Sequence, residues 1–307
     1  MRLRWRSAGG RLKYSRKIER REGATASHTD HFTLAGNIGP FDAITISPHS
    51  LAERACAAAQ AGYGGFGFGH QDIAHLLATI GAAEVNAILN DNGLAVREVE
   101  VLTDWFASGD RRAASDRQRR EMLHAAAAIG ARHIKVAGDL TLPYVSRDAT
   151  IEAFAILCDE AAEVGTAVTI ELFPPSSIAT LETGRAIVEG AGRSNGGLLL
   201  DVWHMVRGGI TMEAVAALPP GIVTHVELDD GPLSQQGDFL EETINDRLPP
   251  GAGAFPIADF LQALDKCSYE GPFGVEILSH AFRAMTPAEA ARQSLAHLGA
   301  VVESKFV

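Results

Sequence analysis

From Phe32 onward the chain alternates short apolar runs with longer segments whose apolar positions recur three and four residues apart. The short runs cover residues 32–38, 65–68, 95–101, 133–137, 167–173, 197–202, 222–228 and 273–278. Near-continuous apolar runs of this length are what strands buried on both faces look like. The intervening segments have readable helix ends. Ser50-Leu-Ala-Glu53 and Thr286-Pro-Ala-Glu289 fit the capping box, in which the hydroxyl accepts from an early backbone N–H and the glutamate reaches back to the cap. Pro287 suits a first helical position, where its missing N–H has no partner to lose. Ile151, Phe154, Ala155, Cys158, Ala161 and Ala162 share one helical face, and Gly165 offers the stop.

Repeated strand–helix units without hairpin turn signals predict a parallel α/β fold. Eight units in residues 32–307 predict a closed (β/α)8 TIM barrel rather than an open doubly wound sheet. No linker divides the chain past about residue 30, so the expected organisation is a basic extension over residues 1–30 and one barrel over 31–307. No run of about 18 apolar residues predicts a membrane span.

Charge sharpens this division. The first 22 residues carry nine Arg/Lys against Glu19 and Glu22, a net of +7, leaving −18 on the rest of a chain whose formal charge is −11. So acidic a body is a poor general nucleic-acid binder, because phosphate attraction needs a basic face. The basic head reads as an extension, with a targeting segment or an acidic-surface tail as alternatives. Cys56, Cys158 and Cys267 are widely spaced and form no CxxC pair, which predicts reduced core thiols and a cytoplasmic protein.

The candidate chemistry lies where strands end, since barrel active sites form at the carboxyl ends of the strands. Strand five ends at Glu171, strand six at Asp201, strand seven at Glu227 and strand eight at Glu276. A carboxylate closing an apolar run is costly unless it is paired or bound to a metal. Four on consecutive strands, with few cations beside them in sequence, call for a divalent ion; carboxylate or mixed carboxylate–imidazole ligation suits Mn2+, Mg2+, Co2+ or Zn2+. Separate structural salt bridges are the alternative. His70, Glu100, Lys135, His225 and Arg247 are candidates for lining the substrate pocket, and His204 is a further catalytic candidate. The stretch Gly65-Phe-Gly-Phe-Gly-His70 lacks the spacing of a dinucleotide fingerprint.

The motifs Glu171-Leu-Phe-Pro, Gly197-Leu-Leu-Leu-Asp-Val-Trp-His204, Arg247-Leu-Pro-Pro-Gly-Ala-Gly253 and Gly271-Pro-Phe-Gly-Val-Glu276 occur in that order. Together they resemble the xylose-isomerase-like TIM-barrel superfamily, which holds sugar-phosphate isomerases and epimerases, inosose and 3-dehydroshikimate dehydratases, and endonuclease IV. The resemblance runs from about Phe32 to the C-terminus. It implies metal ligation by Glu171, Asp201, a strand-seven residue and Glu276. On strand seven the pattern departs from the family's His or Gln. Alignment on Asp230 selects Glu227, whereas alignment on the imidazole selects His225, and both have the same strand parity. The resemblance also implies that His204 faces substrate. Acids common in the family are replaced by Ala252 and Ala254.

The implied reaction is carbohydrate chemistry on a keto-sugar or cyclic polyol ketone. The metal polarises the ketone, a carboxylate removes the adjacent proton, and an enediolate forms. Glu171 and Glu276 on opposite faces of the substrate give isomerisation or epimerisation. Loss of a β-hydroxyl, assisted by His204 or His225, gives a dehydratase or another lyase instead. A non-catalytic barrel subunit and an endonuclease IV-like repair enzyme are further alternatives; the latter is disfavoured by the acidic body and few strand-end histidines. A homo-oligomer is compatible with the architecture, and no interface is legible.

Overall fold

A computed structural model describes residues 27–29, 32–34, 45–140 and 146–304. The basic segment 1–22 lies outside these residues. Eight parallel strands close into a barrel in sequence order. The first half comprises β1 (Ser27–Thr29), α1 (Leu51–Ala61), β2 (Gly65–Gly69), α2 (His70–Thr79), α3 (Gly81–Asp91), β3 (Val96–Leu102), α4 (Gly109–Ile129) and β4 (His133–Ala137). Next come α5 (Arg147–Glu163), β5 (Ala167–Glu171), α6 (Leu181–Ala191), β6 (Gly196–Asp201), α7 (Val202–Arg207) and α8 (Met212–Ala216). The chain ends with β7 (Val223–Leu228), α9 (Phe239–Asn245), α10 (Ile257–Lys266), β8 (Phe273–Val275), α11 (His280–Arg283) and α12 (Pro287–Ser304).

Seven of the expected strands match in place to within a few residues. The first does not. Residues 32–34 form a turn, and β1 lies upstream at Ser27–Thr29, within the segment assigned to the extension. Pairing decides this: Ser27–Thr29 bridges β8 at Phe273–Val275 and β2 at Gly65 and Phe66, closing the barrel. Ser-His-Thr carries no apolar signature, whereas Phe32 does. The Phe32 ring packs edge-on against Phe66, 5.8 Å between centroids, outside the barrel wall.

Both helix caps form, and the reciprocal bond of a capping box is made at Thr286. Ser50 Oγ accepts from Glu53 N–H at 3.2 Å. Thr286 Oγ1 accepts from Glu289 N–H at 3.3 Å, and Glu289 accepts in return from Thr286 N–H at 3.1 Å. The helix face of α5 buries Phe154, Leu157, Cys158 and Ala161. Cys158 and Cys267 are buried, Cys56 is partly exposed, and all three are free thiols.

The apolar core lies between the barrel wall and the helices. β2 shows how alternation divides the space: Phe66 and Phe68 are fully buried on one side, their rings 4.8 Å apart. That puts Gly65, Gly67 and Gly69 on the opposite, inner side. β2 thus contributes no bulk to the barrel interior, which receives long polar side chains from β3, β4 and β7. Among the described residues, no single helix is long and apolar enough to cross a membrane.

Candidate metal centre

The inner face of the barrel collects ionisable side chains by strand alternation. Glu98 and Glu100 on β3, His133 and Lys135 on β4, and His225 and Glu227 on β7 are each two residues apart, so both members of each pair point inward. Glu171 and Asp201 end β5 and β6, Asp229 and Glu276 lie just beyond the ends of β7 and β8, and Arg247 follows α9. All of these are buried.

The carboxylates of Glu171, Asp201, Glu227 and Glu276 each place an oxygen within 4.8 Å of the others. The register supports this convergence, since Asp201 pairs with Glu227 and Glu227 with Gly274, two residues before Glu276. Two fixed cations flank the group. Lys135 Nζ lies 2.6 Å from Glu227 Oε1 and 3.2 Å from Glu276 Oε1, and also pairs with Glu100. Arg247 Nη1 lies 2.7 Å from Asp201, 2.5 Å from Asp229 and 3.0 Å from Glu276 Oε2, while its Nε donates to the Thr243 carbonyl at 2.8 Å.

Burial and charge set the protonation states. Burial lowers the Lys135 and Arg247 pKa values, but the surrounding carboxylates outweigh it and hold both well above their ordinary range. Burial raises Glu171, yet Lys135, His204 and Arg247 together bring it down to about 2, so it is ionised at neutral pH. Burial pushes Glu100 up to about 8, with Glu276 and Glu98 adding to the shift and Lys135 opposing it. Asp229 is driven well above the carboxylate range by burial and by Asp201, against the pull of Arg247.

His204 sits at the edge of the cluster. Its Nε2 is 3.4 Å from Glu171 and 3.5 Å from Asp201, and its ring meets Phe173 edge-on at 4.6 Å. Phe239 continues this aromatic wall, 5.8 Å from Phe173. Asp201 also caps α7, accepting from Trp203 N–H at 2.8 Å, which turns the chain so that His204 returns over the strand ends.

The cluster fits a divalent cation. Bonds of about 2.1 Å to oxygen hold neighbouring donors about 3 Å and opposite donors about 4 Å apart, so donors within 4.8 Å need only a small contraction. Seven carboxylates (Glu98, Glu100, Glu171, Asp201, Glu227, Asp229 and Glu276) are buried together with two fixed cations. The carboxylates outnumber the lysine and arginine that face them by seven to two. The all-oxygen donor set suits a hard or borderline ion.

Several expected site residues take other places. His225 lies one layer nearer the amino ends of the strands than Glu227. Its Nε2 is 3.5 Å from Glu98 and its ring is 4.8 Å from that of His133, so it lies beneath the four-carboxylate group. Two residues of strand separate layers, and parity alone does not show which layer reaches the strand end. His70 opens α2 and contacts Glu121 on α4 at 2.9 Å, drawn to the helix layer. Arg247 is 2% exposed and turned onto the site's own acids. It is not a solvated loop residue. Asp230 holds the loop that carries Arg247. Its Oδ1 accepts from Gly231 and Phe255 N–H, and its Oδ2 from Gly251 N–H, at 2.7–2.9 Å. Asp229, Glu98 and His133 join the site without having been singled out in the sequence, although the same alternation that selects Glu227, Glu100 and Lys135 points to each of them.

A family model described as xylose isomerase-like TIM barrel matches residues 56–301. A 3-dehydroshikimate dehydratase of Pseudomonas aeruginosa is 33% identical over 105 residues, covering 34% of this chain and 16% of the relative. An inosose isomerase of Bacillus velezensis is 25% identical over 163 residues, 52% of this chain and 57% of the relative. The matches therefore span less than two thirds of either relative. The crystal structure of the IOLI protein with a bound zinc atom shares the fold, with TM-score 0.77 and 18% identity over 92% of this chain and 99% of that one. The chain belongs to the xylose isomerase-like TIM barrel family.

Proposed function

We propose that this protein is a divalent-metal-dependent isomerase or epimerase of a polyhydroxylated ketone, acting through an enediolate. The observation that carries the reading is the convergence of Glu171, Asp201, Glu227 and Glu276 at the carboxyl ends of four consecutive strands. These four residues would hold the ion, with Mn2+, Mg2+, Co2+ and Zn2+ all compatible with the donors. When bound, the ion polarises the substrate ketone and lowers the pKa of the neighbouring C–H.

The protein's own groups supply the proton transfers. Glu171 is ionised at neutral pH and positioned to accept the proton from the carbon beside the ketone. Glu276, three strands further round the barrel, is the partner that returns a proton to the other carbon or face, so no proton is gained or lost overall. Phe173 and Phe239 shield the His204 side from water. Lys135 and Arg247 each engage three of the site's own carboxylates, which favours an uncharged polyol ketone over a phosphorylated one.

The match to a dehydratase supports a second reading. In it, Glu171 takes the α-proton, His204 protonates a β-hydroxyl, the C–O bond breaks, and water and an enone leave. The 3.4 Å contact between His204 and Glu171 returns the proton.

One NMR experiment tests both. Metal-loaded protein is incubated in D2O with ketoses, inososes and 3-dehydroshikimate. Deuterium entering α to the carbonyl without loss of water supports the isomerase or epimerase, and an enone or aromatic product supports the dehydratase. Protein that takes up no divalent ion, with Glu171→Gln and Asp201→Asn leaving ligand binding intact, overturns the enzyme reading.

A further inference from the structure

The four converging carboxylates present a charge problem that one ion does not solve. Fully ionised, they carry four negative charges into a buried space, and a divalent cation cancels two. Buried charge left uncompensated is strongly unfavourable. The family resemblance sets a neutral His or Gln on strand seven, whereas this chain has Glu227, which adds one of those charges.

We infer that Lys135 is the fixed counter-charge of Glu227, so that the Lys135–Glu227 pair substitutes for a neutral strand-seven ligand. The inference rests on the metal-centre reading above. Lys135 Nζ is 2.6 Å from Glu227 Oε1, nearer than to Glu276 at 3.2 Å, and it lies closer still to Glu100 on the neighbouring strand. The contact crosses the barrel from β4 to β7, and both side chains are shielded from solvent, at 2% and 0% exposure. Arg247 plays the matching part on the other side, where it contacts Asp201 and Glu276. Counted by themselves, the four ligand carboxylates, Lys135, Arg247 and one divalent ion sum to zero charge; Glu98 lies a layer below, against His133 and His225.

Lys135 is therefore a positioning residue. It holds one oxygen of Glu227 and leaves the other for the ion. Replacing Lys135 alone should remove the counter-charge of Glu227, whereas replacing Glu227 alone leaves Lys135 to Glu100 and Glu276. Replacing both should restore neutrality.

A double-mutant cycle of Lys135→Met, Glu227→Gln and the double variant tests this. Mn2+ affinity is read by competition with a chromophoric chelator, and thermal stability is read in excess EDTA. The expected result is that Glu227→Gln weakens Mn2+ binding tenfold or more when Lys135 is present, but less than threefold in the Lys135→Met background. In EDTA, Lys135→Met melts below wild type and the double variant regains most of the loss. Equal effects of Glu227→Gln in both backgrounds, with additive losses in melting temperature, overturn the inference. If Lys135→Met does not fold, the double variant decides: recovery of folded, Mn2+-binding protein supports the pairing, and continued failure to fold overturns it. Wild-type protein that binds no divalent ion defeats the metal-centre reading. The melting temperatures in EDTA still judge the Lys135–Glu227 pair by itself.

Discussion

Arg247→Met removes a cation whose Nη1 lies within 3.0 Å of carboxylate oxygens on Asp201, Asp229 and Glu276. The methionine preserves most of the volume beside the Trp203 ring, over which the guanidinium sits at 5.5 Å, so packing changes little. What remains is a set of buried acids without their counter-charge. Breaking a buried ion pair by removing one partner costs about 3–5 kcal/mol. With about 2–4 °C of melting temperature per kcal/mol for a domain of this size class, the drop is on the order of 10 °C. Protonation offers relief, because each proton taken up by these acids removes one of the uncompensated charges. The penalty should therefore be largest at pH 8 and shrink by half or more at pH 5. The assay is urea unfolding of wild type and variant in excess EDTA at both pH values, read by far-ultraviolet circular dichroism. A loss below about 1 kcal/mol at pH 8, far short of the buried-pair cost, or an equal loss at both pH values, refutes the reasoning. It would return Arg247 to the role of a substrate clamp, whose replacement raises KM and leaves stability alone.

Three further outcomes are expected. Glu100 is pushed up to about 8 from an ordinary 4.5, so the native state keeps a proton that the unfolded chain releases between those values. The contribution is intact below about pH 4.5 and is lost as pH rises towards 8, by about 1.4 kcal/mol per pH unit. Urea midpoints of metal-free protein should accordingly fall from pH 5 to 8, and a rise over that window contradicts the assignment. Glu171 acts outside this window, because its pKa lies near 2 and its contribution disappears only in acid. Gly253→Ala would place a Cβ 2.4 Å from Asp230 Oδ1 and 2.6 Å from the Gly231 backbone. Overpacking against backbone costs about 1–3 kcal/mol, and an unchanged melting temperature would show that the loop yields. His204→Gln should lower turnover by about 100-fold or more while leaving bound metal unchanged; loss of the metal would instead make His204 a ligand.

The sequence by itself determined the class of fold and the position of the chemistry. Buried parallel strands must be apolar along their length, so each polar residue ending such a run stands out. That contrast located Glu171, Asp201, Glu227 and Glu276 and seven of the eight strands. The first strand escaped because Ser27–Thr29 is held by pairing with β2 and β8, and pairing leaves no local pattern. Only the tertiary structure decided depth and partnership. His225 and Glu227 share parity, and the barrel's layering puts one below the other. Arg247 and Lys135 read as substrate-facing cations in one dimension. Closure of the sheet brings them onto carboxylates from strands distant in sequence, because attraction between charges depends on distance through space and is strongest where water is excluded.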